Sequence, residues 1–342
     1  MKKIVIIGAG AMGSAFSVPC EENSHEVFLV GSFLEDKLIE DINKLDNFHP
    51  NLKCQLPKKV KVMKFSEFIN KKIKEIDLLV VGVSSKGIDW IGEEISNFYK
   101  KKTNILLLTK GLTIIDDQFE TLAEKLKKIL KNRNINDPKI SAVGGPCLAN
   151  GLANKINSSV VLANENIEIV KDIGKIISTN YYSTEYSNDL VGVEACAAIK
   201  NLYSMIIGAS EGLCSDKAQK DTKKKYFLNT AASLMYKSIS EMIHFTKRLK
   251  GQEETVYGLA GLGDLYVSSA GGRNSKMGKL LGEGNTYQDV KEKFMKDDTV
   301  EGAELIFEIG DKILKEFDRK KLPLMMSLID TIKKNKKLKI DW

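Results

Sequence analysis

Cysteine and histidine are scarce in this chain of 342 residues, and neither falls into a metal-binding pattern. The five cysteines form no CxxC pair and their number is odd, while the three histidines have no metal-ligand spacing. These absences argue against the common zinc-binding motifs and against a paired disulfide framework. We therefore predict a reducing, cytoplasmic compartment and no metal.

Long apolar runs are also missing. The start Met1-Lys2-Lys3, followed by the apolar stretch 4–7, is similar to the start of a signal peptide, but Gly8, Gly10 and Gly13 interrupt it. No later run approaches the length of a membrane span. With 43% hydrophobic and 28% charged residues, the chain has an ordinary globular composition, and its length predicts two domains.

The formal net charge of +7 comes from scattered lysines. They stand in pairs and triplets, such as Lys58-Lys59 and Lys223-Lys224-Lys225, and alternate with acidic and apolar residues. A concentrated basic patch would indicate nucleic acid or a membrane surface as partner. The scatter is typical of solvated helix faces instead, so we expect neither partner.

A glycine-rich motif follows the first predicted strand. Residues 3–7 are apolar and β-branched after Lys3, as in a strand buried on both faces, and Gly8-Ala9-Gly10-Ala11-Met12-Gly13 then leads into a predicted helix. Gly8 permits the tight turn, Gly10 lets the backbone approach a pyrophosphate, and Gly13 allows the helix to pack closely on the strand. A glycine turn can also form with no ligand, but this context predicts a dinucleotide site at the helix N-terminus.

The second predicted strand, 25–30, ends without a residue that selects a nicotinamide cofactor. An NAD-selective unit usually places an acidic residue at this point, where it binds the ribose hydroxyls. This chain has Gly31-Ser32 there, an acidic pair only later at Glu35-Asp36, and no arginine for a 2′-phosphate; Lys37 is a weak substitute. On these residues alone, we expect NADH and NADPH both to be used, with a modest preference.

Further apolar strands at 78–83, 105–108 and 140–143 alternate with amphipathic helical stretches. This alternation predicts a Rossmann-like, doubly wound parallel sheet, whose ligands bind beyond the carboxyl ends of the strands. Lys110 follows one of these strands directly, and a lysine there has to reach water or an anion. It is either a phosphate or substrate contact or a solvated loop residue.

The second half of the chain has a helical pattern. We place the boundary so that residues 1–187 form the dinucleotide-binding domain and residues 188–342 an all-helical substrate domain. Lys200 lies in an apolar helix of small residues, where burial would lower its pKa toward the range useful for proton transfer. The glycine run 258–265 and the following Gly272-Arg273-Asn274 predict a packed loop that gathers donors around an anion.

Taken together, these motifs resemble the bacterial-type NAD(P)-dependent glycerol-3-phosphate dehydrogenase family. The resemblance runs from Lys3 to about Gly302, with the motifs in the family's order and at about its spacing. The motifs are the Gly8 fingerprint, Thr109-Lys110-Gly111, Gly145-Pro146, Gly192-Val193-Glu194, Ile199-Lys200-Asn201, residues 261–264, Arg273-Asn274 and Val300-Glu301-Gly302. It implies a fold similar to that of 6-phosphogluconate dehydrogenase, with a nucleotide domain followed by a helical one.

The resemblance also implies an activity and a set of sites. The activity is reduction of dihydroxyacetone phosphate to sn-glycerol 3-phosphate with NADH or NADPH, for glycerophospholipid synthesis. Lys200 and Asp264 would be the catalytic pair, with Lys200 as the general acid. The implied substrate-binding positions are Lys110, Gly145, Cys147, Asp264, Gly272, Arg273 and Asn274. The implied cofactor-binding positions are Gly8, Gly10, Ala11, Met12, Gly13, Ser32, Lys110, Ala149, Arg273, Thr299 and Glu301.

Several positions depart from the family pattern. Cys147 stands where Ser or Thr is usual, Gly272 stands in place of the common Ser, and Gly151 stands in place of Glu. A related lysine-using dehydrogenase of another small hydroxy compound shares this domain plan and is one alternative, and the departures motivate a second, a catalytically impaired, nucleotide-binding regulatory protein. Retention of Lys200 and Asp264 speaks against the second reading. The sequence leaves the oligomeric state open, a homodimer included.

Overall fold

A computed structural model describes residues 1–73, 75–214 and 223–340, and the chain packs as two compact units. The first unit comprises Met1–Lys110 and Thr121–Leu190, and the second comprises Gly111–Glu120 and Val191–Trp342. The predicted class is confirmed: a parallel sheet with helices is followed by a helical region. Residues 111–120 pack with the second unit, which the sequence did not predict. The functional domain boundary after residue 187 stays a prediction.

The strands lie almost wholly in the first half of the chain. They are β1 (Lys3–Ile7), β2 (Glu26–Val30), β3 (Phe48–His49), β4 (Cys54–Gln55), β5 (Lys61–Met63), β6 (Leu78–Val81), β7 (Asn104–Leu107), β8 (Leu112–Ile115), β9 (Gln118–Thr121), β10 (Lys139–Gly144), β11 (Ser158–Ala163) and β12 (Tyr182–Ser187). In the described part of the chain, eight of them form one sheet in the order β12-β11-β10-β7-β6-β1-β2-β5. Its neighbours are parallel except for the antiparallel pair β10 and β11.

The helices are α1 (Ala11–Glu22), α2 (Asp36–Lys44), α3 (Phe65–Lys71), α4 (Ile88–Ser96), α5 (Leu122–Asn132), α6 (Ala149–Ala153), α7 (Ile167–Ile177), α8 (Leu190–Leu213), α9 (Lys223–Arg248), α10 (Glu253–Tyr257), α11 (Asp264–Ser269), α12 (Arg273–Gly282), α13 (Tyr287–Lys293), α14 (Glu301–Glu316) and α15 (Pro323–Lys333). Short 3₁₀ and π turns cover Ser85–Gly87 and Leu259–Gly263. Every regular element described after β12 is therefore helical, as predicted.

The sheet register sets where ligand-binding loops emerge. Residues 4–7 of β1 are fully buried, and Ile7 pairs with Val30 of β2 and Val81 of β6. Because these strands are parallel, their carboxyl ends meet at one edge of the sheet. The glycine motif after β1 and the Gly31-Ser32 pair after β2 consequently lie together at that edge.

Helix α8 forms part of the core of the second unit. It is long and apolar enough to cross a membrane, but 83% of its most apolar window is buried inside the protein. Burial of this extent is typical of a core helix, whose apolar surface packs against neighbouring helices. Its position matters for function because it carries Lys200.

Candidate active site

The glycine motif has the geometry of a dinucleotide-binding loop. Gly8 has a φ of +109°, and a Cβ on it would lie 2.5 Å from the carbonyl carbon of Gly82. A Cβ on Gly13 would lie 2.0 Å from the Gly8 carbonyl oxygen, so glycine at 13 lets α1 pack on the end of β1, whereas Gly8 is required by its positive φ and by the backbone that follows β6. At Gly10, apart from its neighbours in the chain, the one described atom within 4 Å of such a Cβ is Glu35 Oε1 at 3.7 Å, so the backbone there is open to a ligand.

The start of α1 completes this loop. No side chain caps the helix, and the first helical hydrogen bond runs from Ser14 N to Gly10 O at 2.9 Å. The N–H groups of the preceding first-turn residues, Ala11 and Met12 among them, therefore have no partner within the helix and carry its positive dipole end. These features fit a nucleotide pyrophosphate.

Ala9, between the first two glycines, is held from both sides. Its carbonyl oxygen accepts hydrogen bonds from His49 Nε2 at 3.0 Å and Ser14 Oγ at 2.9 Å. Because His49 Nδ1 accepts from Leu52 N, the ring proton resides on Nε2. On the other side, Ala9 N donates to Glu35 Oε2 at 3.1 Å. Sequence reasoning missed these roles of His49 and Glu35, since the contacts depend on the fold.

Four of the predicted residues of the first unit line one small cavity. They are Met12, Lys110, Gly145 and Cys147, which share it with apolar side chains such as Phe16 and Tyr182. Gly145 has a φ of +131°, which suits glycine in this turn. Ser32 is buried just after β2, and Ala149 is the first residue of α6, a helix that packs against α1.

In the second unit, Lys200 of α8 forms a buried ion pair with Asp264 of α11. Lys200 Nζ lies 2.5 Å from Asp264 Oδ1 and 2.7 Å from Ser268 Oγ. Lys200 is 8% exposed and Asp264 is 3% exposed, so water screens the pair little. The structure thus brings together the two predicted catalytic residues. It adds Ser268, which stands four residues after Asp264 on the same helical face.

Arg273 and Asn274 begin α12, beside the start of α14. Arg273 forms an ion pair with Glu301, with both side chains about half exposed. Asn274 is buried: its Oδ1 accepts from Gly302 N at 2.9 Å, and its Nδ2 donates to Asn201 Oδ1 at 3.2 Å. The hydrogen bond to Asn201 joins the Arg-Asn motif to the residue next to Lys200.

The remaining predicted positions lie around these contacts. Gly272 caps α12 with a φ of +95°, a conformation that glycine adopts more readily than the usual Ser. Thr299 is exposed and precedes Val300, the cap of α14. Among the described residues, no group of three His, Cys, Asp or Glu side chains is placed to hold a metal ion.

The prediction of a loop over residues 258–265 was wrong. Residues Leu259–Gly263 form a π turn that continues directly into α11. A Cβ on Gly261 would lie 2.1 Å from the Val256 carbonyl oxygen. Only glycine therefore allows the backbone of the two successive helical turns to come this close. This contact is local, between residues five apart in the chain, and the segment is helical despite the weak helix propensity of glycine.

Glycines also bring α8 and α12 into close contact. A Cβ on Gly278 would lie 1.8 Å from the Met205 carbonyl oxygen, and one on Gly208 would lie 2.4 Å from the Ser275 carbonyl oxygen. A Cβ on Gly302 would lie 2.9 Å from Asn201 O, so the start of α14 approaches α8 in the same way. Close backbone contact thus fixes the distance between the helices that carry Lys200 and Asn274.

Replacing Gly278 with alanine should separate α8 from α12. We expect the free energy of unfolding to fall by about 1–3 kcal/mol, the usual cost of overpacking, although alanine is the better helix former. Thermal and denaturant unfolding measure this loss. Gly271→Ala is the matched control, because no atom lies within 4 Å of its Cβ position. Equal stability of the two variants would contradict the role assigned to Gly278.

A dinucleotide-binding loop on a parallel sheet and a buried Lys-Asp pair on helices define a nicotinamide-dependent dehydrogenase. The model of the NAD-dependent glycerol-3-phosphate dehydrogenase N-terminus matches residues 3–170, and that of the C-terminus of the same family matches residues 189–340. The chain belongs to this family, as its motifs predicted.

Curated relatives agree with this assignment. An NADP(+)-dependent glycerol-3-phosphate dehydrogenase of Archaeoglobus fulgidus is 31% identical over 318 residues, covering 91% of this chain and 90% of the relative. A glycerol-3-phosphate dehydrogenase [NAD(P)+] of Clostridium botulinum is 28% identical over 319 residues, covering 92% and 89% of the two chains. Both matches extend over nearly the whole of each protein.

Solved structures support the fold. Glycerol-3-phosphate dehydrogenase from Coxiella burnetii has a TM-score of 0.79 at 21% identity, over 98% of this chain and 96% of that one. The Plasmodium falciparum enzyme has a TM-score of 0.81 at 20% identity, over 98% and 92% of the two chains. At these identities the similarity is one of fold.

Proposed function

We propose that this protein reduces dihydroxyacetone phosphate to sn-glycerol 3-phosphate, with NADH or NADPH as reductant, and supplies glycerophospholipid synthesis. The observation that carries the proposal is the buried contact between Lys200 Nζ and Asp264 Oδ1, at 2.5 Å, in a chain of this family. A protein that had lost its catalytic function would not need to keep a desolvated ion pair of this kind. The pair therefore favours an active enzyme over a regulatory, nucleotide-binding protein.

Lys200 would act on the carbonyl oxygen of the substrate. The reduced nicotinamide supplies the hydride when bound. As negative charge develops on the C2 oxygen, the Lys200 ammonium donates a proton to it, and in the oxidative direction the neutral amine removes the hydroxyl proton. Asp264 accepts a hydrogen bond from Nζ and fixes its direction, and Ser268 Oγ lies 2.7 Å from the same nitrogen. This arrangement keeps the proton in place before the reaction begins.

The binding roles follow the residues described above. We propose that Lys110, Gly145, Cys147, Asp264, Gly272, Arg273 and Asn274 contact the substrate. For the cofactor we propose Gly8, Gly10, Ala11, Met12, Gly13, Ser32, Lys110, Ala149, Arg273, Thr299 and Glu301. The Arg273 guanidinium carries five N–H donors, so it can hold a phosphate while some of its donors remain on Glu301.

We further propose that the enzyme works in the cytoplasm, as a homodimer, with a functional domain boundary after residue 187. These statements rest on the composition of the chain, on its free cysteines and on the plan of its family. Sedimentation of the full chain measures the oligomeric state directly.

A substrate panel tests the proposed reaction against a related lysine-using dehydrogenase. The full chain is assayed with dihydroxyacetone phosphate and with ketopantoate, each with NADH and NADPH. We expect kcat/KM for dihydroxyacetone phosphate to be higher by about 10³-fold or more, since polar groups placed for a phosphate are left unpaired by a ligand that lacks it. Comparable or higher activity with ketopantoate would assign the chain to the other reaction.

A further inference from the structure

The side chain of Glu35 folds back onto the glycine loop of the first unit. Glu35 is the N-cap residue of α2, three residues beyond Ser32. Its Oε2 accepts hydrogen bonds from Ser32 N at 2.7 Å and from Ala9 N at 3.1 Å. One carboxylate oxygen therefore ties the end of β2 to the loop that follows β1.

The other carboxylate oxygen faces the open side of the loop. Apart from the residues adjoining Gly10 in the chain, Oε1 is the one atom of the described residues within 4 Å of the Gly10 Cβ position, at 3.7 Å. Gly10 is the glycine whose bare backbone lets a dinucleotide approach in folds of this class. Glu35 thus presents a negative charge where the ligand-facing surface of the loop begins.

Among the residues that the structure describes, no lysine or arginine forms an ion pair with Glu35. Two neighbouring lysines are paired with other carboxylates: Lys37 Nζ lies 2.6 Å from Asp41, and Lys64 Nζ lies 2.6 Å from Glu40. The sequence has no arginine before Arg133. The usual partner of a 2′-phosphate is therefore missing from the sequence around both strands that form the loop.

We propose that Glu35 selects NADH over NADPH. The two cofactors differ at the 2′ position of the adenine ribose, and an acidic side chain at the end of the second strand discriminates between them. Its carboxylate accepts hydrogen bonds from ribose hydroxyls and repels a 2′-phosphate by like charge. In this chain the carboxylate comes from the cap of the next helix rather than from the strand end.

This inference rests on the proposed nicotinamide-dependent function and replaces the expectation of a modest preference. That expectation considered only the strand end, Gly31-Ser32. The relatives do not decide the question, because the Archaeoglobus fulgidus protein is named NADP(+)-dependent and the clostridial one NAD(P)+. The contacts of Glu35 are what favour NADH here.

The proposal is tested by measuring the equilibrium binding of NADH and of NADPH to the full chain. Nicotinamide fluorescence reports the binding, and no substrate is present. We expect the unmodified protein to bind NADH at least about 30-fold more tightly, since juxtaposed like charges are strongly unfavourable. In Glu35→Gln, whose amide oxygen can still accept from Ala9 and Ser32, the ratio should fall to about 3-fold or less, chiefly through tighter NADPH binding. Asp36→Asn, an adjacent exposed carboxylate, is the matched control and should keep the original ratio.

Three results would overturn the proposal. The first is equal or tighter binding of NADPH by the unmodified protein, a measurement that needs no variant. The second is an unchanged ratio of NADH to NADPH affinity in Glu35→Gln. The third is an equal loss of affinity for both cofactors in that variant, which would show that Glu35 only stabilises the loop. Failure of the proposed reaction can be distinguished from failure of this proposal, because the binding ratio is measured without dihydroxyacetone phosphate. If the unmodified protein and Glu35→Gln show the expected binding ratios but the enzyme has no turnover, the proposed reaction fails and the role of Glu35 is still confirmed.

Discussion

Replacing Lys200 with methionine is expected to lower kcat for dihydroxyacetone phosphate by about 10²–10⁴-fold, the usual contribution of a general acid. Methionine fills a similar volume in the apolar helix but carries no proton. It leaves Asp264 without its cation, so some loss of stability should accompany the loss of rate. Initial rates with saturating NADH measure the effect, and thermal unfolding shows whether the variant is folded at the assay temperature.

A second buried lysine offers a matched control for this variant. Lys312 is 5% exposed and pairs with Asp117 and Glu316 in the same unit, so Lys312→Met also removes a buried, carboxylate-paired ammonium. It should reduce stability without changing kcat of the folded enzyme. NADH affinity should survive in both variants, because the glycine loop belongs to the first unit. Retention of most turnover in Lys200→Met, or an equal loss in Lys312→Met, would contradict the proton-donor role.

Replacing Arg273 with alanine is expected to lower kcat/KM for dihydroxyacetone phosphate by about 10²–10³-fold. The reason is loss of a charged, hydrogen-bonded contact to the phosphate, which typically costs about 2–5 kcal/mol once the bound substrate has buried the contact. Dihydroxyacetone, which lacks the phosphate, should be a poor substrate of the native enzyme, and the substitution should hardly change its rate. The ratio of the two effects therefore distinguishes a phosphate contact from a structural role.

Lys276→Ala is the control for Arg273, because Lys276 is another partly exposed cation of α12 and lies 3.5 Å from Asp298. It should change neither substrate's kinetics by more than about 3-fold, as expected for a weakly paired surface charge. NADH affinity is measured in Arg273→Ala as well, since Arg273 is also a proposed cofactor contact. Equal losses with both substrates, or unchanged kinetics with the phosphorylated one, would rule out the phosphate role.

The parts of the fold that could be predicted from sequence depend on local patterns. The apolar strand, glycine turn and helix of residues 3–22 are contiguous, and each glycine has its own steric reason. Lys200 was identifiable because a lone lysine in an apolar helix is conspicuous. Asp264 was named through the family resemblance, and the structure places it against Lys200 across 64 residues of chain.

The parts that could not be predicted depend on contacts made by the folded chain. Glu35 reaches the glycine loop across 26 residues, and His49 reaches it across 40. The glycine run at 258–263 has poor helix propensity, yet the segment is helical, with a close backbone contact that only glycine allows. Nothing in the hairpin at 111–120 indicates that Phe119 packs against Phe245 and Phe317 of the second unit.

Product analysis of the complete reaction tests the central claim most directly. The full chain is incubated with dihydroxyacetone phosphate and NADH, and both the oxidised cofactor and the stereochemistry of the product are determined. The account predicts equimolar loss of NADH and formation of sn-glycerol 3-phosphate, with both slowed by about 10²–10⁴-fold in Lys200→Met. Binding of NADH with no oxidation that depends on dihydroxyacetone phosphate, or formation of another product, would contradict it.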